Sequence, residues 1–197
     1  MQGRQAARGV SSQSAVVSAI HATLATFDMW PAAPDQMVEA RDFAAGLIGG
    51  DIVTPQTLAW VHERTGGALF LAREEGRLTG VWAGVLLTEA GVRACHADTF
   101  NALDPDPDHV AEKWEDPAGV YAWGIAGSTR ESAKRVVEAA GGALFRVTLA
   151  HLPYFTRPAT PAGVRLVIER FNFMAVPSST SGLCWMGPRA DRLSAVA

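Results

Sequence analysis

The sequence predicts an α/β fold, in which helices pack on one central mixed sheet. Three observations support it: helical spacing in the first third, a β-hairpin in the middle, and a strand–helix–strand series from Val120 onward. A strand–helix–strand unit implies a right-handed crossover and parallel or near-parallel pairing. A chain of 197 residues suits one domain. We divide it into an N-terminal helical region, residues 1–66, packed on an α/β core, residues 67–197.

The first third is predicted to be mainly helical. Apolar residues recur at helical spacing in its first segment: Val16, Ile20, Leu24 and Phe27. This spacing predicts a helix over Ser12–Phe27, and a second helix is expected over Asp35–Ile48. A third helix begins at Pro55 behind a Thr54 cap and ends at the Gly66-Gly67 pair.

A β-hairpin follows. Ala68–Ala72 and Leu78–Thr88 are apolar runs, and the charged segment Arg73–Arg77 between them reads as the turn. Gly80 and Gly84 lie inside the second run, where glycine indicates a bulge or a close neighbour.

The remaining elements are read from shorter runs. We predict a strand over Arg93–Phe100, then an acidic, proline-rich surface excursion that ends before Val120. The elements expected after it are the strand Val120–Ile125, the helix Arg130–Ala140, the strand Leu144–Leu149, the helix Ala162–Phe171, and the short strands Phe173–Val176 and Gly182–Met186.

Composition excludes several classes of protein. A net charge of −3 argues against a general nucleic-acid partner, and no apolar run is long enough for a transmembrane helix, so we expect no membrane partner and a cytoplasmic location. Cys95 and Cys184 match no metal-binding spacing and are expected to be reduced. We expect no metal, because the aspartates from Asp104 to Asp108 lack the glycine of a calcium loop.

The strand-to-helix turn at Gly124–Gly127 has two readings. Ser128 and Glu131 have the spacing of a capping box, which would explain the turn as a helix start alone. Glycines between a strand and a helix also expose backbone N–H groups to a phosphate, and Arg130 adds positive charge. Both readings stay open on the residues.

The segment Val164–Pro177 resembles a specific part of the GNAT N-acetyltransferase family. Its residues Ile168–Phe173, Ile-Glu-Arg-Phe-Asn-Phe, are similar to the family's Tyr-Glu-Lys-Leu-Gly-Phe, which ends a helix before a closing strand. Asn172 stands where the family has glycine, and asparagine also tolerates the left-handed conformation of a helix end. The series from Val120 resembles the family's acyl-CoA-binding half, and the hairpin its central antiparallel strands.

The resemblance implies a CoA thioester, acetyl-CoA or a longer acyl-CoA, as co-substrate, and a small-molecule or protein amine as acceptor. The pantetheine arm would pass between two parted strands, here Val120–Ile125 and Leu144–Leu149. The residues that this resemblance and the turn assign to cofactor binding are Trp123, Ile125, Gly127, Ser128, Thr129 and Arg130. The glycines of the family's pyrophosphate turn fall on Arg130 and Ser132, which is a departure from the pattern.

The chain lacks the tyrosine that acts as the acid in the family, so other residues are candidates for the catalytic roles. The family's tyrosine acid falls on Ile168, so Tyr154 is the candidate acid. His96 and Asp98 would share one face of their predicted strand and form the candidate base. The structural alternatives are a histidine packed at a strand edge and a tyrosine that anchors a loop.

Two functions therefore stay open. The first is a divergent acyl-CoA-dependent N-acyltransferase acting on an unidentified amine. The second is a catalytically inactive GNAT-like domain that serves ligand binding or protein interaction. A homodimer would be expected to form through the N-terminal helices.

Overall fold

One mixed sheet organises the chain in the computed structural model, which describes residues 13–49, 51–177 and 179–189. The helices are α1 (Ala15–Ala25), α2 (Met37–Ile48), α3 (Pro55–Thr65), α4 (Glu89–His96), α5 (Arg130–Val137) and α6 (Pro161–Arg165). The strands are β1 (Met29–Pro31), β2 (Leu69–Glu74), β3 (Arg77–Leu87), β4 (Gly119–Gly127), β5 (Tyr154–Thr156), β6 (Met174–Ala175) and β7 (Cys184–Met186). Two π-helical segments, Glu138–Thr148 and Leu166–Arg170, continue α5 and α6.

Within the described residues the strand order is β1-β2-β3-β4-β5-β7-β6. The pair β4–β5 is parallel, and the other neighbouring pairs are antiparallel. The α/β prediction with a mixed sheet is confirmed. Both interior strands of the N-terminal half, β2 and β3, are apolar on both faces because helices cover both sides of the sheet.

The core lies on both faces of the sheet. On one, here called the α5 face, Phe70, Trp82 and Tyr154 pack with residues of α1, α5 and the following π-helix. On the other, the α2 face, β2 and β3 residues such as Leu69 and Val81 pack with α2 and α3. Residues of α4 extend the core on that second side.

Most predicted elements are confirmed. Thr54 caps α3, accepting a hydrogen bond from Thr57 N at 3.1 Å, and Gly66 ends it in the left-handed conformation. Glu75 and Gly76, both with positive φ, turn β2 into β3. The β3–β4 register shifts at Gly84, which is the expected bulge. An added Cβ at Gly80 would lie 2.5 Å from Val136, which is the expected close neighbour.

Two predicted strands are wrong. Arg93–Phe100 is not a strand, because Thr88 caps α4 through Gly91 N and the helix runs to His96. Leu144–Leu149 is not a strand either: the helix that starts at Arg130 continues as a π-helix through Thr148. Its Gly141-Gly142 pair does not stop it, since Gly141 lies against the Phe171 ring, whose Cζ would be 2.0 Å from an added Cβ.

The acidic segment before β4 is only partly a surface excursion. Pro107–His109 forms a 3₁₀ turn, and Val110 bridges to Leu87 and is fully buried. Cys95 and Cys184 are free thiols, and both are buried. No helix among the described residues is long and apolar enough to cross a bilayer. The division of the chain at residue 66 stays a prediction, although β1 pairs with β2 of the core.

The contact between the end of β4 and α5 allows a direct test. An added Cβ at Gly127 would lie 2.3 Å from Ala133 N, and backbone atoms on both sides cannot give way. We expect Gly127→Ala to lower the free energy of unfolding by about 3 kcal/mol in urea titrations.

Gly46→Ala is the matched control for Gly127→Ala. Gly46 lies in α2 with nothing within 4 Å of an added Cβ, so this change should be neutral or stabilise by about 0.5–1 kcal/mol. Equal stability of the two variants would contradict the close packing of β4 on α5.

Candidate functional site

The strands β4 and β5 pair over two residues and then part. Val120 lies opposite Tyr154, and Tyr121 lies opposite Phe155. The Thr156 hydroxyl donates to the Ala122 carbonyl at 3.0 Å and holds the paired end together. β4 continues to Gly127, while β5 ends at Thr156. Within the described residues, no strand flanks this side of β4 beyond Ala122, so its backbone groups there are available to a ligand.

A cavity of about 470 Å³ opens at this split. On the α5 face it is lined by Phe145 and Phe171, on the α2 face by Ala44 and Ile48 of α2, and between them by β4. Because residues from both faces line it, the cavity passes through the sheet at the split. Its volume and its predominantly apolar lining are typical of a small-molecule site.

A network of polar groups closes one end of the cavity. Arg157, which follows β5, forms an ion pair with Asp98 at 3.1 Å and donates from Nε to the Ser181 hydroxyl at 2.7 Å. The Ser181 hydroxyl donates to Asp98 at 2.6 Å, and Thr180 N donates to the same carboxylate at 3.0 Å. Arg157 and Ser181 line the cavity, so α4, β5 and the segment before β7 meet there.

The network acts on the pKa of Asp98. The Ser181 hydroxyl, which makes the largest contribution, and the Arg157 guanidinium hold the pKa of Asp98 well below its usual range, against the effect of burial. Asp98 follows α4 in the left-handed conformation (φ 56°), which aspartate tolerates. Asp98 is therefore an ionised carboxylate that accepts several hydrogen bonds, and its part in a catalytic base stays a prediction.

Tyr121 places a phenol hydroxyl at the same end of the cavity. Its ring is buried against Phe100, with ring centroids 5.0 Å apart, and its hydroxyl lies next to the Arg157 guanidinium. Burial raises the pKa of Tyr121 to about 12, although Arg157 opposes the rise. Tyr121 is therefore a neutral hydrogen-bond donor at physiological pH. Burial likewise raises the pKa of Cys95 to about 12, which argues against a thiolate nucleophile there.

The predicted cofactor residues fall into two groups. Trp123 and Ile125 line the cavity, and the Trp123 indole N–H donates to the Ala102 carbonyl at 2.7 Å. The residues further along the chain lie past the cavity lining, at the end of β4 and the start of α5: Gly127, Ser128, Thr129 and Arg130. β4 thus leads from the cavity to the helix start.

The predicted cap at this helix start is wrong by one residue. Thr129, rather than Ser128, is the N-cap, and it exchanges hydrogen bonds with Ser132 rather than with Glu131. Ser128 N instead donates to the Thr79 carbonyl at 2.9 Å. The cap satisfies the N–H of Ser132, and the N–H groups of Arg130 and Glu131 lack intrahelical acceptors by helix geometry. Phosphate binding at these two groups stays a prediction.

The predicted catalytic residues do not come together. Tyr154 is fully buried on the α5 face against Phe145, with ring centroids 4.3 Å apart, and its hydroxyl has no hydrogen-bond partner among the described residues. His96 ends α4, and its ring packs edge-on against Phe155 and Trp185. The idea that His96 and Asp98 share a strand face is wrong, because α4 replaces that strand.

Sequence reasoning missed Tyr121 and Arg157. Tyr121 lies inside an apolar run, which predicts a core residue, and its ring is indeed buried in the core. Arg157 stands in a proline-rich loop with no motif around it. A Thr88-Glu89 helix start, which was visible in the sequence, could have relocated Asp98 to the end of a helix.

The pH dependence of stability tests the Asp98 network. Because the folded-state pKa of Asp98 is depressed, its ionised form stabilises the fold fully above its unfolded pKa of about 3.9. That contribution is lost as the pH falls through the folded-state value. We expect Asp98→Asn to lower the melting temperature at pH 7, and the difference from wild type to shrink below about pH 4. Asp104→Asn, an exposed control, should change little; a constant deficit of Asp98→Asn at all pH values would contradict this account.

Comparisons with known proteins give structural matches alone. No family model matches the chain, and no curated protein matches it.

Three similar solved structures illustrate the match. The "GphF GNAT-like decarboxylase in complex with isobutyryl-CoA" has 12% identity and a TM-score of 0.42 over 65% of this chain and 64% of its own. AAC(6')-Ib in complex with "Parmomycin and AcetylCoA" has 13% identity and a TM-score of 0.45 over 83% of this chain and 94% of its own. A putative acetyltransferase from Staphylococcus aureus Mu50 has 13% identity and a TM-score of 0.43 over 78% of this chain and 91% of its own. The chain spans just under two thirds of the length of the first of these.

Proposed function

We propose that this protein is a divergent GNAT-type N-acyltransferase that transfers an acyl group from a CoA thioester to an amine. The observation that carries the proposal is the parting of β4 from β5 over a cavity that crosses the sheet. Such a split accepts an extended arm whose amides can hydrogen-bond to the free edge of β4. The route along β4 then leads from the cavity to the N-terminus of α5, where a phosphate is favoured.

The two ends of the route along β4 differ in charge. A CoA ester requires this difference, because its pyrophosphate is negatively charged and its pantetheine arm is neutral. Within the described residues, Lys134 and Arg135 of α5 are paired with Glu138 and Glu74, whereas Arg130 at the helix start forms no ion pair. We assign Arg130 and the first N–H groups of α5 to the pyrophosphate. Trp123 and Ile125 would flank the pantetheine arm, with the thioester near the paired end of the split.

In the proposed reaction the amine nitrogen attacks the thioester carbonyl carbon, and the carbon–sulfur bond breaks as the thiolate leaves. Tyr121, backed by Arg157, would donate a hydrogen bond to the carbonyl oxygen as negative charge develops on it. A base must take the proton of the attacking amine. Asp51 is the one carboxylate among the described residues that line the cavity, and His96 stays a second candidate.

Binding of CoA esters tests the cofactor assignment. We expect saturable binding of acetyl-CoA in isothermal titration, weakened about tenfold in Arg130→Glu through loss of a charge-assisted contact. Arg93→Glu reverses an exposed charge on α4 and should bind like wild type. Folded protein that binds no CoA ester would refute the proposal, and binding without turnover on any amine would favour the inactive GNAT-like domain.

The two tyrosines of the chain form a matched pair for the reaction. Once an accepted amine is found by screening, we expect Tyr121→Phe to lower kcat about 100-fold with little change in the KM for the CoA ester. Phenylalanine keeps the ring contact with Phe100, so the fold should persist. Tyr154→Phe removes a buried hydroxyl outside the cavity lining and should leave kcat unchanged; the reverse outcome would restore Tyr154 as the acid.

A further inference from the structure

The cavity extends well beyond the strand split, under α2. This part, here called the α2 lobe, is lined by Ala40, Ala44, Ile48, Val53, Leu58 and Val81. Its walls are apolar side chains from α2, from the segment leading to α3, from α3 itself and from β3. Two charged residues also line the cavity on this side: Asp51 is exposed, whereas Arg41 pairs with Asp42 at 2.9 Å and keeps its Nε buried, without a hydrogen-bond partner among the described residues.

The α2 lobe is continuous with the split. Gly124 of β4 and Ile48 of α2 both line the cavity, and an added Cβ at Gly124 would lie 2.9 Å from Ile48 Cδ1. The helix therefore lies directly on the parted section of β4. The split and the α2 lobe are parts of one cavity, and Trp123, Gly124 and Ile48 all line it.

From these features we infer that the acyl group transferred is a medium-length apolar chain, of about six to eight carbons, which lies in the α2 lobe. This inference rests on the proposed function. Ala40, Ala44 and Ile48 stand at successive i+4 positions of α2, so the lobe follows the helix for about 12 Å. An acetyl group reaches only its entrance and leaves the apolar walls without a partner.

The apolar walls of the α2 lobe favour the acyl chain, rather than the acceptor amine, as the group that occupies it. An ammonium headgroup inside the lobe would lose its water among apolar side chains and would lie near the positive charge of Arg41, which is costly. A hydrocarbon chain has no polar group to satisfy, and each methylene that it buries raises affinity about fourfold. The acceptor amine is then left to approach the thioester from outside the lobe.

The first test is the affinity of the full-length protein for a series of straight-chain CoA esters, from acetyl to decanoyl, in the absence of any acceptor. We expect the Kd to fall about fourfold for each added methylene up to six to eight carbons, and then to level off or rise. A Kd that is the same for every ester would overturn the inference while leaving the proposed function intact. Absence of binding by every ester would overturn both.

Substitutions in α2 test whether the acyl chain lies in the α2 lobe. Ala44→Leu fills the lobe and should abolish the gain in affinity that esters longer than acetyl show in the wild-type protein. Ile48→Ala enlarges the lobe and should move the optimum to a longer chain.

Ala45→Leu is the matched control, because Ala45 is the neighbouring residue on the same helix and does not line the cavity. A chain-length profile that is identical in Ala44→Leu, Ile48→Ala and Ala45→Leu would overturn the assignment to the α2 lobe. Thermal melts of all three variants check that each is folded.

Discussion

The early end of the β4–β5 pairing is the constraint on which the site depends. β4 is held on its other side by a long antiparallel pairing with β3, so it stays extended as far as Gly127 without help from β5. β5 stops at Thr156, and the loop that follows contains Pro158, which has no N–H for a ladder hydrogen bond. The sheet thus opens at a fixed place, with one rigid wall and one wall made of a loop and α6.

Helices on the α5 face keep the opening from collapsing. α5 is anchored at its start by the contact of Gly127 with Ala133, and the π-helix after it is anchored where Gly141 meets Phe171. Phe145 and Phe171 pack edge to face, with ring centroids 5.9 Å apart, and both line the cavity. A glycine at each contact lets backbone and ring approach closely enough to fix these walls.

Charge and hydrophobicity are separated along the site. The polar network of Asp98, Arg157 and Ser181 lies at the paired end of the split, next to Tyr121, whereas the space under α2 is apolar. The apolar side chains under α2 offer few hydrogen-bond partners. This property makes the apolar part suited to hydrocarbon and unsuited to an unpaired charge.

Several features could be predicted from the sequence because they depend on neighbours along the chain. The helix α3 with its Thr54 cap, the hairpin with its bulge, β4, and the left-handed Asn172 all follow from local spacing and backbone preferences. Trp123 and Ile125 were also found at the cavity, since their place in the strand Val120–Ile125 was visible, although the predicted turn at Gly124–Gly127 is the last part of β4. The α/β class followed from the order of these elements.

Other features were decided by tertiary structure. Leu144–Leu149 has an apolar composition that suits a strand or a buried helix equally, and contact with Phe171 across Gly141 accompanies its helical form. Asp98, Tyr121 and Arg157 are distant in sequence and meet because α4 and β5 end beside the first residues of β4. The sequence by itself determined the local elements and the fold class, because those depend on near neighbours. Only the packing of helices on a split sheet decided where the cavity lies and which side chains face it.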